Sequence, residues 1–164
     1  MIVQGEYTFP GTREAIWELL LDPAVIARTM PGTEEMVRVA PDRYEGRMRV
    51  GVGAITAAEF TVSVQLADVV PPERYTMQID GRGRFGFTRG TAQVRLAADG
   101  AGTVMRFEAD LQVGGKIAAV GQRLLDSVSK LMTRQGLESL SKEVNRRLAS
   151  ADPGSRSPNP GPLP

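Results

Sequence analysis

Tyr7, Tyr44 and Tyr75 are the side chains whose placement comes nearest to supporting chemistry. Each falls on the apolar side of an alternating stretch, so each carries a hydroxyl toward the interior. A tyrosine acting with a bound water would suit a cyclisation or hydration of an apolar substrate. The partner that such chemistry needs is missing from the same faces. Glu59, Asp80 and Glu108 alternate outward, toward solvent, and no acid and base share an inward face. The chain of 164 residues contains no His and no Cys. That removes the usual general base near neutral pH, the serine–histidine triad, the common zinc sites, cysteine nucleophiles and disulfides. No catalytic residue and no metal ligand is assigned on this reading.

What the chain offers instead is apolar surface. From the first helix and the strands, Trp17, Met30, Met36, Met48, Val50, Phe60, Val62, Met77, Ile79, Phe85, Phe87, Phe107 and Leu111 read inward. Ile117, Val120, Leu124, Val128 and Met132 continue the set on a C-terminal helix, with Gly121 among them. These residues either pack as core or line a cavity. Methionine adapts to irregular shapes, and small-molecule sites are mostly apolar with a few polar groups. Ala118, Gly121 and Ser127 lie near the apolar face of the helix and work against close packing along its whole length.

Two further stretches carry a functional and a plain reading side by side. In residues 81–90 (GRGRFGFTRG), Phe85 and Phe87 would gate a cavity mouth. Arg82, Arg84 and Arg89 would meet an acidic partner or lipid headgroups. The plain reading is a glycine-rich hairpin, bulged or bent, with solvated arginines. Met30-Pro31-Gly32 and Ala54-Ile55 read first as turn chemistry.

The elements that must position these residues follow from periodicity. Ile2 to Phe9 alternates as a strand and ends at Pro10-Gly11. Thr12 caps a short amphipathic helix, and Asp22-Pro23 opens a second, broken by Met30-Pro31-Gly32. A meander of strands follows at residues 34–39, 43–53, 57–69, 74–81, 91–96 and 104–113. Short turns between them predict an antiparallel sheet, apolar on one face and charged on the other. Residues 114–148 then show apolar spacings of three and four, which predicts one long helix. No other helix is long enough to pack along it, so its stripe must face the sheet. The fold predicted is α+β, a helix-grip arrangement: a curved seven-stranded antiparallel sheet around the C-terminal helix, with two short helices after the first strand. The N-terminal half of that helix, residues 117–132, would line the cavity, and its more charged second half would close the fold or meet a partner.

Composition is that of a soluble globular domain, with 41% hydrophobic and 24% charged residues and a net charge of +1. Nothing suggests nucleic-acid binding, a signal peptide or a transmembrane span. One domain over residues 1–149 is expected. Residues 150–164, rich in Pro, Gly and Ser, are expected to form a flexible tail. A reducing cytoplasm is the default compartment.

Several separated motifs in this order of elements resemble one family. Trp17, Asp22-Pro23, Met30-Pro31-Gly32, Val52-Gly53-Ala54-Ile55, the glycines of residues 81–90, and Val113-Gly114-Gly115 followed by Gly121 look like the carbon monoxide dehydrogenase CoxG family. That family is part of the START/birch-allergen-like helix-grip (SRPBCC) superfamily, and the likeness covers roughly residues 1–148. It implies a cavity between sheet and helix for a hydrophobic ligand, with the loops at Met30-Pro31-Gly32 and Ala54-Ile55 near its entrance. It also implies an accessory role beside a molybdenum hydroxylase of the carbon monoxide dehydrogenase type, in membrane recruitment or access to the quinone pool. The expected ligand is then an isoprenoid quinone (menaquinone or ubiquinone) or another lipid, with no metal or covalent cofactor. Expected contacts are that enzyme and the inner face of the cell membrane, peripherally. A small cyclase- or hydratase-like enzyme and an assembly factor with a vestigial cavity are the alternatives.

Overall fold

The computed structural model describes residues 1–151 of the chain, with only the backbone of Ala151. The flexible tail expected from residue 150 therefore lies almost wholly outside the described residues. β1 (Ile2–Pro10) is followed by α1 (Arg13–Leu21) and α2 (Pro23–Thr29). The strands β2 (Thr33–Ala40), β3 (Arg43–Val52), β4 (Ile55–Val70), β5 (Arg74–Gly83), β6 (Gly86–Asp99) and β7 (Gly102–Gly114) come next. A short 3-10 turn (Lys116–Val120) leads into α3 (Gln122–Ala151). The sheet has seven strands in the order β1-β7-β6-β5-β4-β3-β2, every pair antiparallel. Each new strand adds beside its predecessor, and β1 closes the far edge against β7.

The local signals act as their chemistry requires. The Thr12 hydroxyl accepts from the Ala15 amide at 3.2 Å, and Asp22 Oδ1 accepts from the Ala24 amide at 2.9 Å, so both short helices are capped. Residues 81–90 form no bulge. They are the end of β5, a two-residue turn at Arg84-Phe85 and the start of β6 in continuous register. The strand expected at 91–96 is therefore five residues longer at its start than alternation of large side chains suggests. On the outer face, Arg106 reaches Glu6 at 2.7 Å, Arg82 holds Asp80 at 3.0 Å, and Arg49 pairs with Glu59. The Arg82 hydrogen bond holds the Asp80 carboxyl below its ordinary range. Exposed pairs of this kind stabilise little individually.

The apolar residues pack as two clusters rather than one. The first joins Phe9, Ile16, Trp17, Leu19, Val25, Tyr44, Tyr75, Val94, Leu96 and Met105 to Leu140 and Val144 of α3. The second joins Val52, Ala58, Phe60, Val62 and Ile117, with Leu124, Leu125 and Val128 against it. Val64 touches both. Trp17 stands edge-on to Tyr75, with ring centroids 5.3 Å apart.

Three expectations about the long helix are corrected. It is not continuous from residue 114. Gly121 adopts φ 96°, which ends the 3-10 turn, and α3 begins one residue later. Its second half does more than close the fold. Leu140 and Val144 are core, and Glu143, in the same turns, is buried. The stripe does not face the sheet alone, because α2 packs against it. An ideal Cβ at Gly136 would sit 3.6 Å from Pro31 Cδ and 3.9 Å from Met30 Sδ.

The same substitution should have opposite signs at two glycines. Nothing lies within 4 Å of a Cβ at Gly121, so Gly121→Ala is opposed only by backbone strain, costing about 1–3 kcal/mol. At Gly136 the new methyl makes ordinary contacts inside a helix, and Gly136→Ala should stabilise by up to ~1 kcal/mol. Denaturant midpoints of the two variants check this.

A second expectation concerns Tyr75, whose hydroxyl burial pushes well above the ordinary tyrosine range, with Tyr44 nearby adding to it. The folded state favours the neutral phenol. This contribution is complete below a pH of about 10, where an unfolded tyrosine titrates, and is lost as pH rises toward the raised folded value. Stability should therefore fall at alkaline pH, and fall less steeply in Tyr75→Phe; unfolding midpoints measured across that range decide it.

Candidate ligand cavity

The inner face of the sheet is short of side chains between the two clusters. Pairing aligns Gly46, Val62, Gly81, Thr88 and Val113 in one row across β3 to β7. The next row holds Tyr44, Val64, Ile79, Gly90 and Leu111, and the one after it Leu66, Met77, Ala92 and Ala109. Three glycines and two alanines thus occupy central inward positions. A facing helix could fill that space only by approaching the backbone.

Two turns clamp the helix. Gly53, at φ 59° in the β3–β4 turn, comes so close to α3 that a Cβ there would lie 2.7 Å from Leu124 Cδ2. The α2–β2 turn meets α3 at Gly136. Leu124 and Gly136 are separated by about 18 Å of helix. Val128 and Met132 lie between these clamps, over the thin rows. Ile79, Leu111 and Met132 belong to neither cluster and stay half-buried, as do Met48, Val50, Met77, Phe107 and Val128 at the cluster margins.

A cleft of about 370 Å³ opens at one end of these rows, where Met1, Leu111, Val113, Ala118, Gln122 and Leu125 meet. Leu111 and Val113 are inner-face residues, so the cleft reaches that face. The Met1 amino group donates to the Leu111 carbonyl at 2.8 Å, which fixes the N-terminus at its rim. The 3-10 turn forms the opposite rim. It is held by the Ile117 amide on the Phe85 carbonyl at 2.7 Å.

The residues expected to line a cavity separate into groups. Met48, Val50, Met77, Ile79, Phe107, Leu111, Leu124, Val128 and Met132 converge on the inner space. Phe60, Val62, Phe85, Ile117 and Val120 build the second cluster that bounds it. Trp17 is buried in the first cluster. Met30 is 46% exposed at the α2–β2 turn, and Gly121 is exposed at the start of α3. Phe87 is a correction. The register of β6 puts Ala92, Val94 and Leu96 inward, so Phe87 faces outward, with Arg89 5.0 Å over its ring and Gly114 beneath it. It gates nothing on the inner face.

Sequence reasoning missed Gly46, Gly81, Gly90, Thr88, Val113 and Leu125 as parts of the inner face. The signal was present, since each sits in phase with an inward apolar neighbour. It also missed Glu143, whose apolar helical phase announced burial while its charge argued against it.

The tyrosines do not form an acid–base site. The Tyr44 hydroxyl donates to the Leu21 carbonyl at 2.6 Å, and its burial raises it above the ordinary range. Among the described residues no carboxylate hydrogen-bonds to a tyrosine, and no group of acids is placed to hold a metal ion. No helix of the described residues is long and apolar enough to cross a membrane.

Comparison with known proteins places this architecture. A conserved protein from Geobacillus kaustophilus superposes with a TM-score of 0.82 at 26% identity, over 89% of this chain and 96% of the other. A START superfamily protein from Mycobacterium smegmatis gives 0.69 at 12% identity, over 89% and 98%. The ZhuI aromatase/cyclase from Streptomyces sp. R1128 gives 0.66 at 18% identity, over 92% and 97%. These last two likenesses concern the fold alone. No curated protein matches by sequence. Residues 5–145 match the carbon monoxide dehydrogenase CoxG family, and the chain therefore belongs to that family, with a START-like helix-grip fold.

Proposed function

We propose that the protein is a non-catalytic carrier or adaptor that holds an isoprenoid quinone, or a lipid of similar shape, between the sheet and α3. The observation that carries this reading is the unfilled inner face. Glycines and alanines thin its middle rows, while Ile79, Leu111 and Met132 remain half-buried in a fold whose other inward residues pack tightly. Water held against such a surface is unfavourable, and an apolar ligand replaces it at about 25 cal/mol per Å² of apolar area covered. Family membership supports association with carbon monoxide dehydrogenase. In that setting the carrier serves a molybdenum hydroxylase, through electron transfer to the quinone pool or peripheral recruitment to the cytoplasmic face of the membrane.

The reading as a cyclase or hydratase draws on the fold it shares with an aromatase/cyclase. Against it, the Tyr44 hydroxyl is committed to a backbone carbonyl, and the one buried acid among the described residues, Glu143, is committed to arginines. An assembly factor with a vestigial cavity would need no ligand at all.

Organic extracts of the purified protein, analysed by mass spectrometry, should contain a quinone or lipid, and the stripped protein should take up a soluble quinone analogue on titration. Leu124→Glu or Val128→Glu places a charge against that space and should weaken uptake by at least about tenfold while the circular dichroism spectrum is kept. Undiminished binding would put the site elsewhere. Empty extracts together with no uptake would end the carrier reading in favour of the assembly factor.

A further inference from the structure

The groove between α2 and α3 carries more positive charge than its buried acid uses. Glu143 is 4% exposed, and three guanidiniums surround it. Arg28 Nη2 donates to Oε1 at 2.7 Å, Arg146 Nη2 donates to Oε2, and Arg147 Nε lies 3.5 Å from Oε1. Arg147 also reaches Asp22 at 3.6 Å. A carboxylate buried this far is stable only when paired, so Glu143 fixes where these side chains stand. Arg28 and Arg146 each give it a single nitrogen, and the rest of each donor fork faces outward. Lys142 stands beside them and makes no ion pair among the described residues. Four cations therefore face two carboxylates.

The groove has a volume of about 600 Å³ and is lined by Arg28, Thr29, Ser139, Lys142, Glu143 and Arg146. The Thr29 hydroxyl already donates to the Val25 carbonyl at 2.8 Å, whereas the Ser139 hydroxyl has no partner among the described residues. Two preset forks, an ammonium and a free hydroxyl around a surplus of two positive charges match a compact, multiply charged oxyanion. A single carboxylate would use one fork and leave the other.

We infer that the α2–α3 groove is a binding site for a phosphate-bearing anion, held by Arg28, Arg146, Lys142 and Ser139, with Glu143 as the residue that presets the two arginines. The site is separate from the apolar inner face and does not depend on the carrier reading. The phosphate belongs either to a free phosphate ester or diphosphate or to a lipid headgroup.

Calorimetric titration with inorganic pyrophosphate at fixed ionic strength tests the first source. Phosphatidylcholine vesicles with and without phosphatidic acid test the second. Lys142→Glu touches neither Glu143 nor its partners, so it should fold normally and weaken binding by at least about tenfold. Arg146→Lys keeps the charge but not the fork and should weaken it as well. Lys130→Glu, about 18 Å back along α3, applies the same charge change outside the groove and should leave binding unchanged. Binding of pyrophosphate, or of phosphatidic acid vesicles alone, with this pattern of variants assigns the site and its source. No binding to either probe, or equal losses in Lys130→Glu and Lys142→Glu, would overturn the inference. Quinone uptake by Lys142→Glu should be unaffected, which keeps failure here distinct from failure of the carrier reading.

Discussion

A sheet covered on one side must meet its cover with side chains, and this sheet has few to offer where the cover is longest. That steric constraint organises the molecule. Gly46, Gly81 and Gly90, with Ala92 and Ala109, leave the middle of the inner face thin. α3 cannot collapse into the gap, because the turn at Gly53 holds it at Leu124 and the α2–β2 turn holds it at Gly136. The core is consequently divided. Phe9, Trp17, Tyr75, Val94 and Val144 close one end, Phe60, Val62 and Ile117 close the other, and the space between is lined but not filled.

The two ends are stabilised by different physics. At the first, aromatic and aliphatic packing is joined to an ionic knot, Glu143 with Arg28, Arg146 and Arg147, that ties α2 to α3. Burying that carboxylate is favourable only with its partners in place, so the knot specifies which turn of α3 meets α2. At the second end the contacts are almost wholly apolar. Ile117 sits on a 3-10 turn whose flanking glycines, Gly115 and Gly121, both have positive φ. The junction expected to be plain helix is thus a separate element that docks on the β5–β6 hairpin.

Much of the fold is legible in the sequence because it rests on alternation and capping. Thr12, Asp22 and the inward phases of β1, β3 and β4 can be read directly, since large side chains mark which way a strand faces. Alternation fails where the inward residue is a glycine. Gly81 and Gly90 suggest a bend, and Phe87 suggests an inward side chain because it is aromatic, although its phase in β6 puts it with Arg89. Helical phase places Leu140 and Val144 correctly, but charge conceals Glu143. Its burial depends on Arg28, which is distant in sequence and arrives only when α2 packs.

The inner face carries a further consequence in its lack of hydrogen-bonding groups. Met48, Met77, Ile79, Leu111, Val128 and Met132 present hydrocarbon and thioether, and Thr88 adds a hydroxyl on the same side of β6. Such a surface distinguishes guests by length and bulk rather than by functional group. Each methylene that finds room is worth about 0.8 kcal/mol, a modest ratio per carbon that accumulates along a chain. Homologues differing by one repeat of an isoprenoid tail would be sorted, whereas the identity of a head group left at the cleft would scarcely register.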